Sequence, residues 1–207
     1  HMLKTRLQPT QRGMTLVEMI VVVAIFTVLM LAISNSIASL YRYNAYALAQ
    51  AYQLDLARRG VEVLTRDLRE MIFAENGAFP LVRVEPHVVG FYSDVDGDDR
   101  VEYVEYQLAT TTRFIKRTYA PTGGNPAYNF ATATQQEIVS DYVQNLIQGT
   151  STFLYFTNNG LATTATSAIA DIRFIRSQLI VNVDAVHNPG EYMLKAGSML
   201  RNLKDNL

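Results

Sequence analysis

The 207-residue sequence contains no cysteine. Disulfide bonds, zinc sites with cysteine ligands and thiol catalysis are therefore excluded. A chain of this length has room for one domain of about 130 residues besides a long anchoring segment. The core of that domain has to supply its stability without a covalent cross-link.

Proline is absent from Val17 through Ala78, so nothing in this stretch forces a helix to end. From Met14 to Ile33 the side chains are almost all apolar, and Glu18 is the only ionisable residue. Such a segment is long enough to cross a hydrocarbon core of about 30 Å as a helix. A carboxylate inside a membrane segment costs about 3 kcal/mol, which indicates a functional role for Glu18 rather than an incidental one.

Charge of either sign is scarce, and the formal net charge is −1. Three basic residues and no acidic one precede the apolar run, namely Lys4, Arg6 and Arg12. The positive-inside rule keeps this segment in the cytoplasm and places the C-terminal part outside. A conventional secretory signal is disfavoured because the apolar run is too long and no small-residue cleavage site follows it. The remaining chain is mildly acidic, which argues against non-specific binding to DNA or anionic lipid.

The order of basic segment, Gly13, apolar helix and Glu18 resembles the class III signal of type IV pilin-like proteins. The resemblance implies that a prepilin peptidase cleaves between Gly13 and Met14 and that the new amine of Met14 is N-methylated. Methionine stands here where phenylalanine is commonest in the family. His1-Met2 is interpreted as a cloning remnant and is left out of the signal.

Glu18 has a physical role if such helices pack side by side in a filament. Each Met14 then brings a buried positive amine, and a carboxylate about one turn along a neighbouring helix neutralises it. An unpaired charge in a low dielectric costs several kcal/mol. The resemblance implies the same role, since this glutamate supports subunit assembly in the family.

The sequence predicts one helix from Met14 to about Phe73. Its second half carries an apolar stripe at spacings of three and four residues: Leu54, Ala57, Val61, Leu64, Leu68 and Met71. From residue 76 the pattern becomes that of strands. The predicted class is α+β, a type IV pilin fold with a long N-terminal helix on an antiparallel sheet. The predicted parts are a tag remnant and leader (1–13), a transmembrane half-helix (14–36), an amphipathic half-helix (37–75) and an extracytoplasmic head domain (76–207).

Seven strands are predicted from alternation and turn signals. They are Phe79–Val84, Val88–Tyr92, Val101–Leu108, Arg113–Tyr119, Phe153–Phe156, Ile172–Val183 and Tyr192–Met199. In Val101–Leu108 the alternation favours a half-buried antiparallel strand. Thr134 and Glu137 form a capping-box pattern ahead of apolar residues that extend to Ile147, which predicts a short amphipathic helix. The loop 121–126 and the turn 187–190 separate these elements.

Three later segments narrow the resemblance. They are 91–108, 138–156 and the C-terminal Arg201-Asn202-Leu203. Together they resemble the minor pilins and pseudopilins of the J/W type, which include the J pseudopilin of type II secretion and its pilus and competence counterparts. The lack of a helix-breaking proline near Asn35–Ile37 slightly favours a minor component over a major pilin.

An acidic stretch follows the second strand. Asp94, Asp96, Asp98, Arg100, Glu102 and Glu105 stand at positions 1, 3, 5, 7, 9 and 12 of a calcium-loop pattern. The candidate calcium ligands are Asp94, Asp96, Asp98 and Glu105. The glycine usual at the sixth position is missing, since Asp99 stands there, and no flanking helices are predicted. A solvated hairpin turn is therefore favoured over a calcium site.

Nothing in the sequence indicates an enzyme. His87 and His187 are far apart, and neither a nucleophile elbow nor a phosphate-binding glycine loop is present. The basic residues Arg113, Lys116 and Arg117 favour a solvated strand face over a DNA contact. The predicted function is that of a non-catalytic minor pilin or pseudopilin, stored in the cytoplasmic membrane and assembled with other pilin subunits. The alternatives are a major or DNA-uptake pilin and a calcium-dependent adhesin at the filament tip.

Overall fold

The computed structural model describes residues 13–123, 127–160, 162–163, 166–187 and 190–200. The basic leader, the end of the predicted loop at 124–126, the dipeptide Asn188-Pro189 and the C-terminal Arg201-Asn202-Leu203 lie outside these residues. The helix α1 is Leu16–Arg69. The strands are β1 Leu81–Glu85, β2 Val88–Ser93, β3 Glu102–Leu108, β4 Phe114–Tyr119, β5 Pro121–Thr122, β6 Ala127–Tyr128, β7 Gln135–Ser140, β8 Phe153–Thr157, β9 Ala162–Thr163, β10 Ile172–Val181 and β11 Tyr192–Met199, and a 3₁₀ helix spans Thr166–Asp171.

The chain divides into two compact units, with the boundary after Ala45. In the first unit, every large apolar side chain from Met14 to Ile33 is exposed. The described part of the chain contains one helix that is long and apolar enough to cross a membrane, and that helix is α1. The α+β class is confirmed, since a long N-terminal helix precedes a domain of antiparallel sheets.

The second unit contains two main sheets rather than the single sheet expected from the sequence. The first has the order β1-β2-β3-β4-β7, and the second has the order β11-β10-β8-β9. All strand pairs in them are antiparallel. A two-stranded ladder, β5 with β6, closes the predicted loop that begins at Pro121. The hydroxyl of Tyr155 on β8 lies 2.9 Å from the carbonyl of Glu85 and 2.8 Å from that of Val88, so it joins the two sheets.

The part of α1 in the second unit shares one core with both sheets. The predicted stripe is buried at Ala57, Val61, Leu64 and Leu68, which pack with residues of β2, β3, β4, β8 and β10. The helix ends at Arg69 rather than near Phe73, because the next residues join a strand. Met71 forms a bridge with Ser93, and the N–H of Ile72 donates to the carbonyl of Tyr92 at 3.1 Å.

Gly60 lies where α1 approaches β7. A Cβ at this position would stand 2.1 Å from Cγ1 of Val139 and 3.1 Å from its carbonyl oxygen. Glycine in a helix costs about 1 kcal/mol relative to alanine. The helix bears this cost because a larger residue would not fit between it and the edge strand of the first sheet.

A buried polar cluster joins α1 to the first sheet. Asp67 is fully buried, and its Oδ2 accepts hydrogen bonds from the hydroxyl of Tyr106 and from Nζ of Lys116, each at 2.7 Å. The side chain of Lys116 is only 12% exposed. Burial, together with the charge of Asp67, raises the pKa of Tyr106, so its hydroxyl remains a donor. The carboxylate therefore has a charged and a neutral partner from two adjacent strands.

Strand β3 is buried on both faces, so the half-buried prediction was wrong. Its inner residues Val104, Tyr106 and Leu108 belong to the common core. On the outer face Tyr103 belongs to a second cluster formed with Ala74, Tyr92, Val101 and Tyr119. The remaining outer positions, Glu105 and Gln107, are polar. The polar residues at alternate positions predicted a solvent-exposed face, whereas aromatic rings and ion pairs cover this face.

The short amphipathic helix predicted from Thr134 to Ile147 was also wrong. Gln135–Ser140 is strand β7, which pairs with β4. The hydroxyl of Thr134 accepts a hydrogen bond from the N–H of Ala120 instead of capping a helix. Beyond the strand, the buried amide of Asn145 bonds the carbonyl of Gln178 and the N–H of Ile180 on β10. These pairings satisfy backbone groups of the sheets, so tertiary contacts outweigh the local helical pattern.

Candidate functional site

The first candidate site is the start of α1. Thr15 directly precedes the helix and Glu18 is its third residue, which is the spacing of a capping box. Oε2 of Glu18 accepts hydrogen bonds from the backbone N–H of Thr15 at 2.9 Å and from its hydroxyl at 3.1 Å. In return, the Thr15 hydroxyl accepts from the N–H of Glu18 at 3.3 Å. Sequence reasoning assigned Glu18 to assembly and missed this local role, although the Thr-x-x-Glu pattern was available to indicate it.

The predicted processing residues lie immediately before this cap. Gly13 and Met14 are both exposed, and Met14 is not yet within the helix. Cleavage at this position stays a prediction. Both bonds that Glu18 accepts come from neutral donors, so they orient the carboxylate without neutralising its charge.

The second candidate site is the acidic turn between β2 and β3. Ligand oxygens of Asp94, Asp96 and Glu102 all lie within 4.8 Å of one another. Asp94 accepts a hydrogen bond from the N–H of Gly97 at 2.7 Å, and Glu102 accepts from the N–H of Val95 at 3.1 Å. Burial raises the pKa of Glu102, which is only 4% exposed. The turn therefore brings three carboxylates together, and one of them is almost fully buried.

Asp99 adopts the left-handed conformation, with φ of 66°. It stands at the sixth position of the sequence pattern, where calcium loops usually have glycine. Aspartate is one of the few residues other than glycine that are enriched in this conformation. The backbone therefore makes a sharp turn at the position where the pattern requires one, although the side chain differs.

The structure brings together only part of the ligand set predicted from spacing. Glu105 lies on the outer face of β3, where its carboxylate pairs with Nη1 of Arg83 at 2.8 Å and lies 3.7 Å from Arg117. The carboxylate of Asp98 accepts from the N–H of Arg100 at 2.9 Å and is not one of the three converging groups. The third carboxylate of the cluster is that of Glu102, rather than that of Asp98 or Glu105. Calcium binding itself stays a prediction.

The three basic residues weighed as a DNA contact do not share a surface. Lys116 points inward to Asp67, whereas Arg117 lies on the outer face beside Gln107 and Glu105. Arg113 pairs with Asp141 at 3.0 Å. Each cation has an acidic or amide partner, so the geometry offers no single basic patch formed by these three side chains.

Residues 9–34 match the family model of the prokaryotic N-terminal methylation motif. This match includes Gly13, Met14 and Glu18. No curated protein and no solved structure matches the chain. The motif and the apolar helix that follows it support a membrane-anchored subunit of the type IV pilin or pseudopilin kind. The motif also implies processing by a prepilin peptidase and assembly with other pilins.

Proposed function

We propose that the chain is a non-enzymatic minor pilin or pseudopilin of the J/W type. It joins other minor subunits to prime or cap a type IV pilus or a type II secretion pseudopilus. The observation that carries this proposal is the methylation motif at residues 9–34, followed directly by an apolar helix with Glu18 in its first turn. A head domain of antiparallel sheets is consistent with the same kind of subunit.

Before assembly, the chain is held in the cytoplasmic membrane by the first part of α1. The basic leader lies in the cytoplasm and the head domain lies outside, as the positive-inside rule favours. Prepilin peptidase then cleaves between Gly13 and Met14, and the new Met14 amine is N-methylated. The mature helix packs against neighbouring helices in the filament, and Glu18 of one subunit neutralises the Met14 amine of another.

The minor role is supported by the proline-free stretch from Val17 through Ala78. Without a proline, nothing in the helix forces a break between its membrane part and its head part. The presence of Glu18 also argues against the outermost position at the tip, where no subunit lies above to supply an amine. We therefore place the chain near the tip but below its last subunit.

Quantitative mass spectrometry of filaments sheared from the host tests the minor role. We expect this chain at a small fraction of the most abundant pilin, together with other low-abundance pilin-like subunits, and we expect deletion of its gene to reduce filament number strongly. A filament preparation from the deletion strain complemented with the wild-type chain is the control. Finding this chain as the dominant filament protein would instead identify a major or DNA-uptake pilin.

A further inference from the structure

Glu102 is a buried carboxylate that forms no ion pair with a described residue. It is 4% exposed, at the start of β3. The ion pairs formed within the described part of the chain do not include it, and the neighbouring carboxylates Asp96 and Asp98 act on it with charges of the same sign. A buried carboxylate without a cation is unfavourable by several kcal/mol. The backbone N–H groups of Val95 and of Glu102 itself donate to the carboxylate, but these neutral donors do not compensate its charge.

Ser93 provides a second and independent observation. Its side chain is fully buried, and its Oγ has no hydrogen-bond partner. A buried hydroxyl in this state costs about 1–3 kcal/mol. Ser93 lies directly opposite Glu102 in the β2–β3 ladder, so the two side chains leave the sheet on the same face with Cβ atoms about 5 Å apart. Ser93 therefore faces the same side of the sheet as Glu102, which is one of the three converging carboxylates.

We propose that Asp94, Asp96 and Glu102, with the hydroxyl of Ser93, form a calcium site at the β2–β3 turn. Two oxygens on opposite sides of a calcium ion are about 5 Å apart, because each calcium–oxygen distance is about 2.4 Å. The three carboxylates lie within 4.8 Å of one another, so one ion reaches all of them. Calcium would supply the missing counter-charge of Glu102 and the missing partner of Ser93.

The chemistry of the donors selects calcium among the common divalent cations. All the proposed ligands are hard oxygens, and neither histidine nor cysteine belongs to the group, which disfavours zinc. Magnesium needs nearly ideal octahedral geometry at about 2.1 Å, whereas calcium accepts six to eight ligands in irregular arrangements. An exposed turn that carries Asp96 and a strand that fixes Glu102 suit the more permissive ion.

Calorimetric titration of the full-length chain in detergent, after chelator treatment, tests the site. We expect one calcium ion per chain, and a rise in the melting midpoint of about 5 °C or more at saturating calcium. Magnesium at the same concentration should raise the midpoint by less than half as much. Absence of both calcium heat and a midpoint shift would overturn the proposal, and so would equal binding of magnesium.

Three variants locate the ligands, and one matched variant controls for charge. Glu102→Gln and Asp96→Asn should each weaken calcium binding at least tenfold, and Ser93→Ala should weaken it measurably. Asp99→Asn removes a carboxylate from the same turn, keeps a residue type that tolerates the left-handed conformation, and should bind as the wild type does. Asp96 is exposed, so its variant should fold normally. Wild-type binding by Asp96→Asn and Glu102→Gln would refute the assignment.

Discussion

A Glu18→Ala chain is expected to be cleaved and inserted into the membrane as the wild type is, yet to be absent from sheared filaments. The cleavage residues Gly13 and Met14 are unchanged, and the apolar helix becomes more apolar still. In the filament, however, the buried amine of a neighbouring Met14 loses its counter-charge, which costs several kcal/mol. Immunoblots of membrane and filament fractions measure both effects, and normal filament content of this variant would refute the pairing of Glu18 with the amine.

The capping box separates two explanations for that result. Glutamine at the third helical position can still complete a capping box, but it carries no charge. Glu18→Gln should therefore keep the bond from the N–H of Thr15 and still fail to enter filaments. Thr15→Ala is the matched control, since it removes the capping hydroxyl, worth about 1 kcal/mol, and keeps the carboxylate. We expect this control to assemble, and an assembly-competent Glu18→Gln would show that capping is what matters.

The Asp67→Ala variant is expected to lose about 3–5 kcal/mol of unfolding free energy, the usual result of breaking a buried ion pair. The substitution leaves the ammonium of Lys116 buried without its partner and removes the acceptor of the Tyr106 hydroxyl. For a domain of this size such a loss lowers the melting midpoint by roughly 10 °C. Thermal melting of the full-length chain in detergent, followed by circular dichroism, measures the change.

Two further variants make the Asp67 result specific. Asp55→Ala removes an exposed carboxylate that pairs with Arg59 on the same helix, and exposed pairs contribute about 0.2–1 kcal/mol. It should melt close to the wild type. Replacing both partners by apolar residues, Asp67→Leu with Lys116→Met, should recover most of the loss, because no unpaired charge remains. A small effect of Asp67→Ala alone would contradict the assigned role of this pair in joining α1 to the first sheet.

The helix and most strands could be predicted because their patterns are local. The stripe from Ala57 to Leu68 has helical spacing, and it is buried as predicted. The helix predicted for residues 134–147 was wrong for the opposite reason. Its capping pattern is local, whereas its structure depends on β4 and β10, which lie elsewhere in the sequence. Pairing partners of this kind cannot be deduced from the segment itself.

The acidic turn shows what strand periodicity could have added. Glu102 and Glu105 are three residues apart on a predicted strand, so they must lie on opposite faces. Only one of them could join the aspartates of the preceding turn. The pattern of a calcium loop favoured Glu105, and the structure places Glu102 there instead. The unpartnered hydroxyl of Ser93 had no sequence signal, because it depends on register across the β2–β3 ladder.

The N-terminus of the chain recovered from membranes of cells that contain a prepilin peptidase tests the central claim most directly. Intact mass and N-terminal peptide mapping should show a chain that begins with N-methylated Met14, whereas cells without the peptidase should yield a chain that retains Gly13 and the leader. A chain that keeps the leader in the presence of an active peptidase, or that begins at another residue, would contradict the assignment to the pilin-like class.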